Sequence, residues 1–170
     1  MEKFISAESK NALVKLGLYQ IVGGCLGLIV LTWQILKSPV TLGGSLIILL
    51  IGMLFFGYSI FSGWQCTKMT ARALTYSFIN QGIQILGIEA GGYAFQYVSG
   101  LSFGASLHLT GSVKFDFELG LSAIILYFGA QPGVIIIDIN VMAIIVFVLI
   151  DRLNNKVKAE KEIRSDTRFL

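Results

Sequence analysis

The chain of 170 residues is 55% apolar and 14% charged, carries a formal net charge of +3, and has a mean hydropathy of +0.76. Soluble domains are typically about 25% charged, and a chain of this length cannot hide so much apolar surface inside one aqueous core. The composition therefore excludes an ordinary soluble globular protein and predicts contact with lipid.

Four apolar segments follow one another along the chain and predict four membrane spans. Residues 16–36 and 38–67 carry no charge, residues 73–107 carry only Glu89, and the shorter segment 134–150 carries only Asp138. A helix needs about 20 apolar residues to cross roughly 30 Å of hydrocarbon. The sequence therefore predicts a membrane all-α protein, a four-span transmembrane helical bundle with a small extracytoplasmic antiparallel β meander between spans 3 and 4.

This interpretation divides the chain into three parts. Residues 1–100 hold the N-terminal cytoplasmic segment and helices 1 to 3, residues 101–138 form the extracytoplasmic β cap, and residues 139–170 form helix 4 and a basic cytoplasmic tail. Lys37 and Lys114 are the only two of the 13 Lys and Arg residues that do not lie before span 1, between spans 2 and 3, or after span 4. Because cytoplasmic segments are enriched in Lys and Arg, we expect a multi-pass protein of the cytoplasmic (inner) membrane with both termini cytoplasmic.

The distribution of Lys and Arg residues is explained by the orientation of the protein in a membrane, so no nucleic acid partner is expected. The tail after Asn154 is mixed in sign, which is typical of a solvated helix or of a docking segment for a membrane or cytoplasmic partner. The sequence from Val22 to Cys25 faintly resembles a lipidation signal, but the apolar run continues beyond the cysteine, which favours an uncleaved span.

Small and amide side chains within the spans predict close helix contacts. Gly23 and Gly27 form a GxxxG spacing that favours helix packing in span 1. On a helical wheel of span 3, Asn80, Gln84, Gly87 and Gly91 fall on one face, and Glu89 and Gln96 project together from another. We expect these six residues to pack helices of one or several copies together, to line a wet conduit, or to belong to a substrate site, and the sequence leaves these alternatives open.

Glu89 is the one acidic residue deep in the predicted span 3. An ionisable group inside a membrane is costly, which makes it a functional candidate. It is predicted to be a proton or cation site, or a protonated or hydrogen-bonded acid at a helix interface.

The segment that follows changes from a helical period to a period of two, which predicts strands. We expect strands over about 103–110, 113–128 and 134–141, with His108, Lys114, Asp116 and Glu118 on the polar face of the cap. The apolar face needs a cover. The candidates are the chain's own helices, the lipid interface, sheets of neighbouring copies joined edge to edge, or a closed barrel inserted in lipid.

No nucleotide-binding, zinc-protease, serine-hydrolase or CxxC motif occurs in the chain. We therefore expect no enzymatic activity, no cofactor and no metal, and His108 has no second ligand at suitable spacing. The leading hypothesis is an integral membrane assembly or accessory subunit, a homo-oligomer that self-associates through its helices and its β cap. The alternative is a homo-oligomeric ion channel or pore with a conduit lined by span 3.

Overall fold

The computed structural model describes residues 5–37, 44–109, 113–128 and 133–166 and contains four helices and one six-stranded antiparallel sheet. In chain order the elements are α1 (Ala7–Lys37), α2 (Gly44–Thr67), α3 (Ala73–Gln84), β1 (Leu86–Ala90), β2 (Tyr93–Val98), β3 (Ser102–His108), β4 (Lys114–Gly120), β5 (Ala123–Phe128), β6 (Ile135–Asn140) and α4 (Val141–Asp166). The predicted four-span all-α bundle is wrong, because a sheet forms a large part of the fold.

α1 and α2 are the elements that are long and apolar enough to cross a membrane among the described residues. They pack against each other as a hairpin. A side chain at Gly17 would lie 2.6 Å from the Gly63 carbonyl oxygen, and one at Gly63 would lie 2.4 Å from the Gly17 carbonyl oxygen. Only 33% of the most apolar window of α1 and 28% of that of α2 are buried, so the hairpin turns most of its apolar surface outward.

The predicted third span is not a single helix. α3 has 12 residues and ends at Gln84, after which the chain forms the β1–β2 hairpin. Gly91 and Gly92 both have positive φ values, +60° and +86°, as a two-residue hairpin turn of type I′ requires. The apolar residues at 86, 88 and 90 follow the period of a strand, and the Gly-Gly turn sets the register Ala90↔Tyr93.

The predicted fourth span is also a composite. Residues 135–140 form β6, and α4 begins only at Val141, where the Asn140 side-chain oxygen accepts a hydrogen bond from the Ala143 amide at 3.2 Å. The predicted spans 3 and 4 are therefore each a helix joined directly to a strand, and the two strands, β1 and β6, pair with each other in the sheet.

The sheet has the strand order β4-β3-β6-β1-β2-β5. The predicted meander is corrected in two respects: β1 and β2 belong to the sheet, and the long predicted strand 113–128 divides into β4 and β5, which lie at opposite edges. A flat sheet of six strands is about 24 Å wide, whereas two intervening residues hold Gly120 and Ala123 within about 11 Å. The sheet is therefore strongly bent, so that its two edge strands meet end to end.

Two apolar clusters join the elements. One lies where α1 begins and contains Leu13, Leu74, Ile150 and Val157. The other lies where the sheet meets the hairpin and contains Leu31, Phe56, Tyr97 and Ile124. The second cluster places β2 and β5 against the half of the hairpin that is distant from the start of α1.

Candidate functional site

A network of buried polar side chains joins α1, α2 and α3. The Ser77 hydroxyl donates to the Gln20 side-chain oxygen at 3.1 Å, and its oxygen lies 3.1 Å from the Cys66 sulfur and 3.4 Å from the Ser62 hydroxyl. The Ser59 hydroxyl donates to the Gln20 carbonyl at 3.0 Å. These hydrogen bonds replace the bonds that the polar groups would form with water, and so offset the free-energy cost of burying those groups in apolar surroundings.

The same network continues from α2 and α3 into the sheet. The Asn80 amide donates to the Ser59 hydroxyl oxygen at 3.2 Å, and the Ser99 hydroxyl donates to that same oxygen at 2.8 Å. Gln84 is held at both ends: its amide nitrogen donates to the Asn80 carbonyl at 3.0 Å, and its oxygen accepts from the Ser99 backbone amide at 2.8 Å. The predicted residues Asn80 and Gln84 therefore lie together, and they contact Ser59 of α2 and Ser99, the residue that follows β2, in the same copy.

The bend of the sheet is fixed to α1 by the hydroxyls of Ser122 and Tyr19, of which Tyr19 donates to the Leu101 carbonyl at 3.4 Å. The Ser122 oxygen accepts from the Gly100 amide at 2.7 Å, and its proton is donated to the Gly23 carbonyl at 2.8 Å. Gly100 has a φ of +107°, a conformation that favours glycine. The backbone approach is close, since a side chain at Gly23 would lie 2.6 Å from the Gly100 nitrogen.

The named members of this network are all neutral side chains, and most of their polar atoms are paired with one another. The exception is the Gln20 amide nitrogen, which has no hydrogen-bond partner among the described residues; the same is true of both polar atoms of Gln81, another buried residue of α3. Both side chains are fully buried, and such groups are normally satisfied by ordered water. The arrangement binds helices and sheet together and offers no charged group for proton transfer.

The two glycines of the predicted GxxxG in α1 are both in contact within the chain. Gly23 faces the bend of the sheet, and a side chain at Gly27 would lie 2.0 Å from the Phe56 ring. The spacing therefore brings elements of one copy together at these two positions.

The other residues of the predicted helical stripe lie in strands. Gly91 occupies the β1–β2 turn, Gly87 lies in β1, and a side chain at Gly87 would lie 3.0 Å from the Gln96 side chain and 3.1 Å from Asp138. Glu89 pairs with Ala94 on one side and with Ile136 on the other. Gly87 and Gly91 thus do not share a helical face with Asn80 and Gln84, because the helix ends before them.

The four residues predicted on the polar face of the cap lie on one face of the β3–β4 hairpin. His108 is directly opposite Lys114, and its Nε2 lies 3.2 Å from an Asp116 carboxylate oxygen. Glu118 lies opposite Gly104. Among the described residues, no group of three or more His, Cys, Asp or Glu side chains is placed to hold a metal ion.

One face of the sheet is apolar across all six strands, and the other face carries a polar row across five of them, which ends at Gln96 because its β5 partner is Ile125. The apolar face contains a row that crosses all six strands: Leu126, Phe95, Ile88, Ile137, Leu107 and Phe115. The polar face contains a row formed by Gln96, Gly87, Asp138, Ser106 and Asp116, in which the Ser106 hydroxyl donates to the Asp138 carboxylate.

The apolar face is covered at one end only. Tyr97 and Ile124 are buried against α1 and α2, whereas Leu86 and Ile88 are about half exposed. On and beside the edge strand β4, five alternating apolar side chains are 60 to 81% exposed: Val113, Phe115, Phe117, Leu119 and Leu121. An exposed apolar surface of this kind marks an interaction site with protein or membrane.

Several residues of the network were not predicted from the sequence, notably Gln20, Ser59, Ser99 and Ser122. The signal available for α2 was the spacing of Ser59, Ser62 and Cys66, which repeats at helical intervals in an otherwise apolar span. No comparable signal existed for Ser99 and Ser122, because their role arises from the bend of the sheet.

Comparisons with protein-family models, with curated proteins and with solved structures found no match for this chain.

Proposed function

We propose that this protein is a non-enzymatic membrane assembly subunit, which is anchored by the α1–α2 hairpin and associates with further copies through its sheet. The observation that carries the proposal is the exposed apolar face of the sheet beside an apolar helix hairpin. A soluble protein would cover such a face with its own chain. Here the helices cover β2 and β5, and leave β4 without a cover among the described residues.

The buried network supports the same proposal. Asn80 and Gln84 are joined to Ser59 and Ser99 of the same copy, so these amides hold helices and sheet in one arrangement. A subunit that presents an interface gains from such rigidity, since less conformational entropy is lost when copies associate.

The proposed location is the cytoplasmic membrane, with the start of α1 and the end of α4 on the cytoplasmic side. Lys156 forms an ion pair with Glu8 at 2.6 Å, and Glu160 accepts hydrogen bonds from Ser6. The second half of α4 therefore lies beside the start of α1, and both segments are rich in Lys and Arg. The positive-inside rule favours this end for the cytoplasm.

Native mass spectrometry of the protein in lipid nanodiscs tests this function. We expect a defined number of copies greater than one, and the same number after dilution by about tenfold. A strictly monomeric protein would contradict the proposal, and a statistical mixture that follows concentration would indicate unspecific association.

A homo-oligomeric pore is the second candidate, and the polar row of the sheet favours it. Gln96, Asp138 and Asp116 follow one another across the strands, with Glu89 on the same face. Copies that turn this face toward a common axis would enclose a conduit with acidic walls. The test is ion flux into liposomes that contain the protein: the E89Q variant should lower cation selectivity, while D151N on α4 should not. Absence of flux in the wild-type protein would refute the pore.

A further inference from the structure

We infer that β4 pairs antiparallel with β4 of a second copy, around a two-fold axis that passes through Asp116. This inference rests on the proposed self-association and names the surface and register that carry it. β4 is an edge strand of the sheet, so one side of its backbone faces away from β3. Edge strands with alternating side chains are templates for the addition of another strand.

The identity of the partner follows from what the edge requires. The backbone N–H and C=O groups on the outer side of β4 are not paired within the sheet, so a further strand can pair with them. The side chains of β4 alternate between apolar Phe115, Phe117 and Leu119 and charged Lys114, Asp116 and Glu118. A partner strand must therefore be apolar on one face and carry complementary charges on the other, and β4 itself meets both conditions.

The alternation restricts the possible registers. Two copies related by a two-fold axis must bring apolar residues opposite apolar residues, because a shift by one residue turns every side chain to the other face. The axis can therefore pass through residue 115, 116 or 117 while most of the strand stays paired. These three registers differ in the charges that they bring together.

The register centred on Asp116 fits best. It places Lys114 opposite Glu118 twice, which gives two attractive cross-strand pairs. It also places Phe115 opposite Phe117. A centre at 117 brings Asp116 opposite Glu118 twice, which is repulsive. A centre at 115 also gives two attractive pairs, Lys114 opposite Asp116, but Glu118 and Leu119 then extend beyond the described residues of the partner strand, so less of β4 is paired.

In this register Asp116 of one copy lies opposite Asp116 of the other at the two-fold axis, and His108 can reduce the repulsion between them. The two Asp116 carboxylates of the dimer lie opposite each other, and His108 of each copy reaches its own Asp116 at 3.2 Å from the neighbouring strand. A ring N–H that donates to the carboxylate oxygen spreads its negative charge. His108 therefore lowers the repulsion that this register creates at its centre.

Cysteine cross-linking in the membrane tests the register. In a C25S background, which removes the exposed thiol and keeps the buried Cys66, D116C should form a disulfide-linked dimer under mild oxidation. Directly opposed residues of antiparallel strands lie about 4.5–5.5 Å apart at Cα, within the range of a disulfide. F115C and F117C should each cross-link poorly alone and well when the two variants are mixed, and I88C on the interior strand β1 is the control.

Charge exchange tests the same register without oxidation. K114E and E118K each place like charges opposite each other twice, and we expect each to weaken dimerisation about tenfold. The double variant K114E/E118K restores the attractive pairs and should return the affinity to that of the wild type. Failure of this rescue would contradict the register, even where the single variants fold poorly.

The remaining outcomes are distinguishable. If native mass spectrometry finds several copies but D116C does not cross-link, or if all positions cross-link equally, the inference is wrong and the proposed function stands. If the protein is monomeric, both fail. A nitroxide attached to D116C should show dipolar broadening from a second label, and its absence together with high accessibility to dissolved oxygen would assign this face to lipid.

Discussion

At the residue scale, Glu160 of α4 caps the N-terminus of α1, although the two segments are distant in sequence. Its carboxylate accepts hydrogen bonds from the Ser6 backbone amide at 2.8 Å and from the Ser6 and Ser9 hydroxyls at 2.7 and 2.9 Å. The Ser6 hydroxyl oxygen accepts from the Ser9 amide at 3.2 Å, as an N-cap does. A negative charge at this position also interacts favourably with the helix dipole.

Replacement of Glu160 tests this contact through its pH dependence. Partial burial opposes the charge, but the hydrogen bonds from Ser6 and Ser9 and the charge of Lys156 hold the pKa of Glu160 below its usual value of 4.5. The contact therefore stabilises the folded protein fully above about pH 4.5 and is lost as the pH falls through the lowered pKa. E160Q should reduce stability by about 1 kcal/mol at neutral pH, and by less in acid.

Thermal melting in detergent between neutral and acidic pH measures this difference. D151N is the matched control, since Asp151 is exposed on the same helix. A difference between wild type and E160Q that stays constant down to acidic pH would contradict the role of the carboxylate.

Ser122 provides a second prediction at this scale. S122A removes the partner of both the Gly100 amide and the Gly23 carbonyl, and buried groups that lose their partner cost about 1–3 kcal/mol. We expect a lower melting temperature and faster proteolysis between the hairpin and the sheet. T32A is the control, because Thr32 is exposed and its hydroxyl donates to its own helix at Leu28; an equal effect of both variants would refute the role of Ser122.

At the element scale, the α1–α2 crossing depends on glycine. Gly63 meets the Gly17 backbone so closely that a side chain there would lie 2.4 Å from a carbonyl oxygen, whereas Gly57 has nothing within 4 Å. G63A should therefore force the helices apart and destabilise the hairpin by about 1–3 kcal/mol. G57A should be neutral or slightly stabilising, because alanine favours helix. Thermal melting of the two variants compares them, and equal melting temperatures would contradict the close crossing.

The elements also differ in how far the sequence predicted them. α1 and α2 were predicted because, in a chain of this composition, a long apolar run without charges favours a membrane-spanning helix. β1 and β2 were missed, since an apolar segment with one acid satisfies both a helical wheel and a strand alternation. The Gly91-Gly92 pair between alternating residues was the signal that favoured a hairpin. The polar face of β3 and β4 was predicted by its period of two, but which strands it pairs with depends on residues that are distant in sequence.

At the scale of the whole molecule, β6 connects the two halves of the sheet. It lies between β1 and β3, with Ile137 opposite both Ile88 and Leu107. I137P would remove a backbone donor from a central strand, where proline is not tolerated. We expect hydrogen exchange to lose protection in β1 and β3 while the amides of the α1–α2 hairpin stay protected. Retained protection of β1 and β3, or equal loss of protection in α1 and α2, would contradict the central position of β6.

The separation of β1 from β6 along the chain has a consequence for synthesis. The bonds of α1 and α2 are local, so the hairpin is complete when residue 67 has left the ribosome. β1 can pair with β6 only after Ile135–Asn140 has been synthesised. The hydrogen bonds between Ser6 and Glu160 form later still, because Glu160 lies near the end of α4. In the nascent chain, one edge of β1 therefore stays unpaired for some fifty residues of synthesis, while its other edge pairs with β2.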